Sequence, residues 1–360
     1  MKPMDDIESW LALGLIDGLG DESIRRLLVT FGSPEAVLSA GPAELERVVK
    51  RKAAAAVGRG ADPARVKAAL AWLEDPLNTL MTLADPDYPS LLLHIADPPP
   101  LLYLKGRREL LGTPALAVVG SRNATPQGLS NAEAFARAAS DAGLCIVSGL
   151  ALGVDAAAHR GGLGGISASI AVVGTGLDIV YPARNRELAH ELAQRGLLVS
   201  EFPLGTPAVG SNFPRRNRTI SGISRGCLVV EAALQSGSLI TARLALDQGR
   251  DVFAIPGSIH SPLSKGCHAL IKQGAKLVES AGDILDELGH APAGHASGDA
   301  AATPPAASPL LAYLGYDPTS IDILCSRSGL TPETVSAMLL PLELGGMVAA
   351  LPGGYYQRLR

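Results

Sequence analysis

Six short apolar runs along the middle of the sequence constrain the fold more than any other feature. Each run is apolar throughout, which is typical of strands covered on both faces of a parallel sheet. Helix-like stretches separate the runs; the clearest, 126–142, has Thr125 as a candidate cap, Pro126 in its first turn and Gly143 at its end. This alternation predicts an α/β fold with a Rossmann-like, doubly wound, mostly parallel sheet. The runs are 115–119, 144–147, 170–173, 197–199, 228–230 and 252–255.

Composition divides the 360 residues into several units. Residues 289–309 are almost all small residues or Pro, and such a stretch buries too little apolar surface to offset its ordering entropy, so we predict a flexible linker. Three consecutive prolines at 98–100 mark a second junction. We therefore expect an N-terminal helical domain at 1–84, a lead-in segment at 85–106, a Rossmann-like domain at 107–288 and a small domain at 310–360.

The two ends carry patterns of small helical modules. Gly18-Leu19-Gly20, followed by a helix with Arg25 and Arg26, is typical of a helix-hairpin-helix or SAM-like domain, in which such a turn either holds a DNA phosphate or simply packs helices. Residues 318–358 read as two helices and a hairpin, which predicts a winged helix. Because 332–344 contains no basic residue, we expect this module to serve protein contacts or regulation rather than DNA reading.

Four predicted strand ends carry Gly- or Ser-rich turns, and these turns converge at one edge of a parallel sheet. Small residues let the backbone approach an anion closely, and helix N-termini offer N–H groups to it. No turn matches G-x-G-x-x-G or a Walker loop, which disfavours a dinucleotide-binding dehydrogenase and a P-loop enzyme. A single turn of this kind is more often purely structural. The candidate residues are Gly120, Ser121 and Arg122; Ser148 and Gly149; Gly174 and Gly176; and Ser236, Gly237 and Ser238.

The stretch FPRRNRTISG at 213–222 concentrates positive charge in a chain whose formal net charge is −4. No acidic residue occurs between Glu201 and Glu231, so we expect these arginines to lack acidic neighbours and to favour a polyanion. An adjacent Phe offers a stacking surface for an exposed base. The alternative is a solvated basic loop. The candidate residues are Phe213, Arg215, Arg216, Asn217 and Arg218.

Other features narrow the class of protein. The four cysteines are scattered without a C-x-x-C pair, so we expect neither a metal site nor a disulfide framework. We see no signal peptide and no membrane-spanning run, and we predict a cytoplasmic protein without a membrane partner.

The residues from 118 to 280 resemble the DNA-processing protein A (DprA, also called Smf) family. The matching segments occur in the family's order: VVGSR, SGLALGVDAAAH, GTGLDIVYPARNREL, SEFPLG, FPRRNR, EAALQSGSLITA, GRDVFAIPGSI and GCHALIKQGAKLVE. YPSLLLHIADPPPLLYLKG is similar to the family's lead-in, and both end modules resemble domains that members carry.

The resemblance implies a protein of natural transformation that binds incoming single-stranded DNA, protects it and helps load the RecA recombinase. It implies a homodimer formed through the Rossmann-like domain, with no established reaction and no cofactor. The family's basic pocket maps onto Arg122, Phe213, Arg216, Asn217 and Arg218, whereas Arg215 fills a variable position.

The positive charge of the pocket also depends on two further positions. Members often carry Lys or Arg where this chain has Leu152, and Lys265 is a further candidate for adding positive charge nearby. The main alternative function is a nucleotide or ribose-phosphate enzyme of the Rossmann-like phosphoribohydrolase type. That class is expected to carry P-G-G-x-G-T near VVEAALQSGSLITA, and this sequence does not.

Overall fold

A computed structural model describes residues 4–290 and 308–359. Of the predicted linker at 289–309, residues 291–307 lie outside the described residues. None of the described helices combines the length and apolar composition needed to cross a membrane.

The N-terminal domain is helical, as the sequence predicted. Its helices pack around a core that includes Leu13, Ile24 and Leu27, each almost fully buried. The turn at Gly18 has a positive φ of 82°, which Gly adopts without steric cost. The helices are α1 (Met4–Gly14), α2 (Asp21–Phe31), α3 (Pro34–Ser39), α4 (Pro42–Leu45), α5 (Arg51–Arg59) and α6 (Pro63–Trp72).

The centre is a nine-stranded sheet with strand order β1-β2-β6-β5-β4-β3-β7-β8-β9. The seven strands from β6 to β9 pair in parallel, and β1 and β2 add to one edge in antiparallel pairing. The sheet therefore confirms the predicted mostly parallel, doubly wound fold. The strands are β1 (Asn78–Thr82), β2 (Leu101–Gly106), β3 (Ala115–Val119), β4 (Cys145–Ser148), β5 (Ser169–Val172), β6 (Leu197–Ser200), β7 (Gly226–Val229), β8 (Asp251–Ala254) and β9 (Lys276–Leu277).

Helices cover both faces of the sheet, because the central strands are buried throughout and need apolar cover on each side. The predicted helix at 126–142 is present as α8, and the Thr125 side chain accepts a hydrogen bond from the Gly128 N–H at 3.0 Å. The helices of this region are α7 (Ser90–Leu93), α8 (Pro126–Asp141), α9 (Val154–Gly164), α10 (Arg186–Arg195), α11 (Asn212–Ile223), α12 (Ser238–Asp247), α13 (Lys265–Lys272) and α14 (Ala281–Glu287).

Strand β1 precedes the lead-in segment and joins the central sheet. Strand β1 falls inside the unit predicted at 1–84, yet its residues pair with β2 from Asn78–Lys105 to Thr82–Leu101. The sheet thus begins before residue 84 and includes part of the lead-in segment. Antiparallel edge strands of this kind lie outside the repeating strand–helix pattern, which explains why that pattern did not locate them.

The C-terminal module is a winged helix, as predicted. It consists of β10 (Thr319–Ser320), α15 (Ile321–Ser328), α16 (Pro332–Leu344), β11 (Val348–Leu351) and β12 (Tyr355–Arg358). The side chains of Ser320 and Thr331 cap the two helices, and Gly329 ends α15 in the left-handed conformation. Leu324, Val335 and Leu339 are buried in its core.

Helices α8 and α9 approach each other closely at Gly161. A Cβ added to this residue would lie 2.2 Å from the backbone oxygen of Glu133, a distance no real Cβ tolerates. The lack of a side chain therefore sets the separation of the two helices that follow β3 and β4.

We predict that Gly161→Ala lowers the free energy of unfolding by about 1–3 kcal/mol, because the helices must separate to admit the methyl group. Gly58→Ala is the matched control, since Gly58 lies in α5 with no atom within 4 Å of an added Cβ. This control should be neutral or stabilise by about 0.5–1 kcal/mol. Denaturant unfolding measures both, and equal stability of the two variants would contradict the close approach.

Candidate nucleic-acid interface

A hollow of about 720 Å³ opens at the carboxyl ends of β3 and β7. In the sheet order, β3 lies between β4 and β7, so the chain turns to opposite sides of β3 and leaves a crevice at its carboxyl end. Such a switch point is where open α/β sheets bind ligands. Nine of the sequence-predicted residues line this β3/β7 hollow: Gly120, Ser121, Arg122, Phe213, Arg216, Asn217, Ser236, Gly237 and Ser238.

Arg122, from the loop after β3, and Phe213, from the first turn of α11, meet in the hollow. The Arg122 Cζ atom lies 5.9 Å from the Phe213 ring centroid, and the Arg216 Cζ atom lies 6.0 Å from it. Arg122 is exposed, whereas Arg216 is buried. Two candidate arginines from different segments, Arg122 and Arg216, therefore lie around the same aromatic ring.

Arg216 makes its contacts inside the protein. Its Nη1 donates to the Gly149 carbonyl at 2.6 Å and also to the Val172 carbonyl. Burial lowers the pKa of Arg216 to about 10, with Asp155 opposing the shift, so the guanidinium stays charged at neutral pH. Burial raises the pKa of the Asp155 carboxyl, and Arg216 acts in the opposite direction. Asp155 thus offsets the charge of Arg216, and Arg122 supplies the exposed positive charge.

In two of the turns that the sequence predicted to bind phosphate, the backbone N–H groups instead donate hydrogen bonds to carboxylates of the protein. Glu231 accepts hydrogen bonds from the N–H of Thr125 at 2.9 Å and from its hydroxyl at 2.6 Å, at the start of α8. Asp155 accepts from the N–H groups of Gly149 at 3.1 Å and Ala151 at 3.3 Å. These N–H groups are therefore engaged before any ligand arrives.

The start of α12 also lies at the hollow. Gly237 precedes the helix, and the Ser236 hydroxyl accepts a hydrogen bond from the Ser238 N–H at 3.4 Å. Ser236 and Ser238 hydrogen-bond to each other at 2.7 Å beside the hollow that Arg122 also lines. An anion in the hollow would thus meet an exposed guanidinium and a helix N-terminus together.

The expectation that the arginines of 213–222 lack acidic neighbours is wrong. The stretch forms α11, and its helical turn directs Arg215 and Arg218 away from the hollow into a cluster with acids distant in sequence. The Arg215 Nη2 atom lies 2.6 Å from Asp21 Oδ2, and Arg218 pairs with Glu201. This interdomain ion cluster comprises Asp21, Arg25, Asp97, Glu201, Arg215 and Arg218.

Contacts between residues far apart in sequence explain why the absence of acidic residues between Glu201 and Glu231 did not predict the surroundings of these arginines. Asp21 begins α2 in the N-terminal domain, and Asp97 lies in the lead-in segment. Burial raises the pKa of Glu201, with Arg218 and Arg215 opposing the shift. Arg25, a candidate phosphate contact of the N-terminal module, pairs with Asp97 and donates to the Pro98 carbonyl at 2.9 Å. The cluster joins the N-terminal domain to the sheet.

The remaining predicted residues do not line the hollow. The Ser148 hydroxyl donates to the Val118 carbonyl at 2.6 Å and so links β4 to β3. The Gly149 carbonyl receives Arg216, and Gly174 packs against the Phe213 ring. Gly176 faces the Pro203 carbonyl, and Lys265 begins α13. These placements give Ser148, Gly149 and Gly174 supporting contacts near the hollow.

Sequence reasoning missed Asp155, which lines the hollow, and Tyr181, whose ring centroid lies 5.6 Å from that of Phe213. An acid two residues after a Gly turn, at the start of a helix, was an available signal for Asp155. No local signal marked Tyr181, because its neighbour Phe213 lies 32 positions away in sequence.

The fold and the site define a Rossmann-like protein with a hollow, lined by an exposed arginine and a helix N-terminus, at the sheet's switch point. The sequence profile of the DNA recombination-mediator protein A family matches residues 79–289, and that of the DprA winged helix domain matches residues 294–354. The chain therefore belongs to the DprA/Smf family, whose members are DNA-processing proteins.

Individual relatives agree with this assignment. The protein is 41% identical to Protein Smf of Escherichia coli over 99% of this chain and 97% of the relative, and 48% identical to DprA of Streptococcus pneumoniae over 58% and 73%. The S. pneumoniae DprA structure superposes with a TM-score of 0.68 at 38% identity, covering 80% of this chain and 99% of that one. Helicobacter pylori DprA, described with a single-stranded DNA binding mode, gives 0.53 at 30%, covering 59% and 95%.

We predict that Arg218→Ala lowers the free energy of unfolding by about 3 kcal/mol, because the Glu201 side chain, 1% exposed, loses a buried partner. The value is at the low end for such a loss because Arg215 Nε remains 3.2 Å from Glu201. Arg122→Ala is the control and should stay within about 0.5 kcal/mol of the wild type, since Arg122 is exposed. Denaturant unfolding that finds Arg218→Ala as stable as the control would contradict a structural role for the cluster.

Proposed function

We propose that this protein binds single-stranded DNA in the β3/β7 hollow, without strong preference for base sequence. The observation that carries the proposal is the convergence of exposed Arg122, the Phe213 ring and the N-terminus of α12 on one hollow. A guanidinium group and the positive end of a helix dipole both attract phosphate, and an aromatic ring recognises any unpaired base. None of these contacts distinguishes one base from another.

A single strand fits this combination better than a lone nucleotide. Arg122 and the α12 N-terminus, which follow the neighbouring strands β3 and β7, provide a site for a phosphate, and the Phe213 ring provides a separate site for a base of the same chain. A base reaches an aromatic ring only when it is unpaired, which favours a single strand over a duplex.

Family membership supports the wider role. We infer that the protein acts in natural transformation, where it protects incoming single-stranded DNA and helps load RecA as a non-enzymatic cytoplasmic homodimer. Identity of 41% to a Smf protein over almost the whole of both chains supports this inference, as does similarity to an H. pylori relative described by its single-stranded DNA binding mode.

Among the candidate residues, we assign direct contact with DNA to those that line the hollow, except for the buried Arg216. Arg122 is the main phosphate ligand, and Ser236, Gly237 and Ser238 supply the helix end. Asp155 compensates the charge of Arg216, so we assign Arg216 a structural role in the site.

We predict that Arg122→Ala weakens binding of oligothymidylate about 10-fold or more at low salt, because a hydrogen bond to a charged group contributes about 1.5–3 kcal/mol. The slope of log affinity against log salt should become shallower by about 0.7, the value for one phosphate of a single strand. Fluorescence anisotropy over a salt series measures both quantities, and oligonucleotides of different composition should lose affinity alike.

Arg51→Ala is the matched control, since the Arg51 side chain is 91% exposed in the N-terminal domain, away from the hollow. It should leave both affinity and salt slope unchanged. Equal loss in the two variants would mean that general surface charge holds the DNA. Tight binding and turnover of a mononucleotide, with a shallow salt slope, would instead favour the phosphoribohydrolase-type enzyme.

A further inference from the structure

Tyr181 presents an aromatic surface beside the β3/β7 hollow. It follows β5, and its ring centroid lies 5.6 Å from that of Phe213 at an interplanar angle of 36°. The residue is 47% exposed, so part of its ring faces solvent while part contacts Phe213. Two aromatic rings therefore extend in a row from the hollow that Arg122 lines.

Phe213 is more enclosed than Tyr181. A Cβ added to Gly174 would lie 3.0 Å from the Phe213 Cδ1 atom, so the backbone of the β5 loop packs directly against this ring. Arg122, Arg216 and Tyr181 adjoin it as well. Phe213 holds these neighbours in place, and Tyr181 offers the more accessible surface.

The segment that carries Tyr181 is anchored to the wall of the hollow. The Asn185 side-chain amide donates to the carbonyls of Leu150 at 2.8 Å and Ala151 at 3.1 Å, and Ala151 lines the hollow. Asn185 is buried, and a short 3₁₀ helix, Ala183–Asn185, connects it to Tyr181. Because the segment is fixed at Asn185 and at the Phe213 contact, the Tyr181 ring is held before a ligand arrives. Such preorganisation lowers the entropic cost of stacking a base on it.

We propose that Tyr181 forms a second nucleobase-binding position, next to the hollow, on which an unpaired base of the bound strand stacks. This inference rests on the proposed function, because it extends the same site along the strand. The ligand is the π-face of any nucleobase, and the contact therefore adds affinity without sequence preference. The strand runs from the phosphate held by Arg122 past Phe213 and out over Tyr181.

Tyr181→Ala should weaken binding of oligothymidylate about 5-fold to 150-fold, the range that corresponds to loss of one base–aromatic stack. Tyr181→Phe should keep wild-type affinity, because stacking uses the ring and not the hydroxyl. Tyr355→Ala is the matched control: Tyr355 is 44% exposed in the winged helix and should leave affinity unchanged.

A scan with abasic nucleotides separates stacking from a general loss of structure. A single abasic site is moved along the oligothymidylate, and affinity is measured for the wild type and for Tyr181→Ala. At one position the abasic site should weaken the wild type but not Tyr181→Ala, since both changes remove the same contact. 2-Aminopurine at that position should be quenched on binding the wild type and less so on binding the variant.

The outcomes distinguish this inference from the proposed function. If the wild type binds single strands and Arg122→Ala weakens them, while Tyr181→Ala binds as tightly as the wild type, the second position is refuted and the hollow stands. If Tyr181→Ala weakens binding equally for every abasic position, the ring supports the fold of the loop and the inference again fails. If the wild type binds no single strand, the proposed function itself fails.

Discussion

The buried guanidinium of Arg216 is the interaction on which the site depends. It extends from α11 and donates hydrogen bonds to two backbone carbonyls. One belongs to Gly149, just after β4, and the other to Val172, at the end of β5. A charged group is buried at large cost unless hydrogen bonds and an opposite charge compensate it, and here two carbonyls and Asp155 do so. By joining α11 to the loops after β4 and β5, Arg216 fixes the helix that carries Phe213. The position of Phe213 in turn sets the surroundings of Arg122 and Tyr181.

The arginines near the hollow have two different roles, one in the hollow and one in attaching the N-terminal domain. Arg122 stays exposed in the hollow, whereas Arg215 and Arg218 are neutralised by acids from three separate segments, including Asp21 of the N-terminal domain. The cluster depends on all its members, because removing one leaves a partly buried charge without its partner. The basic stretch thus contributes to domain attachment through one face of α11 and to the hollow through another.

Much of the fold follows from local sequence. The six apolar runs became six parallel strands within about two residues of their predicted bounds, because a strand covered on both faces needs apolar residues at every position. The cap at Thr125 was also predictable from local sequence, because its hydroxyl accepts a hydrogen bond from a backbone N–H only three residues further along the chain. The edge strands β1 and β2 were missed, since antiparallel addition to an edge follows no repeating pattern.

The candidate site was predictable in part. Loops after parallel strands converge at one sheet edge, so the sequence located Arg122, Phe213 and the Ser236–Ser238 turn correctly in one hollow. It did not reveal that 213–222 is a helix, although Pro214 in a first turn is compatible with one. Nor did it reveal the partners of Arg218, because Asp21 and Asp97 are far away in sequence and meet Arg218 only through the tertiary fold.

A crystal structure with a short oligothymidylate tests the division between the two sets of arginines most directly. We expect a phosphate within hydrogen-bonding distance of Arg122, near the start of α12, while the contacts of Arg215 and Arg218 with Asp21 and Glu201 remain intact. A strand bound along Arg215 and Arg218 with Asp21 displaced, and with the β3/β7 hollow empty, would contradict the assignment of DNA binding to the hollow.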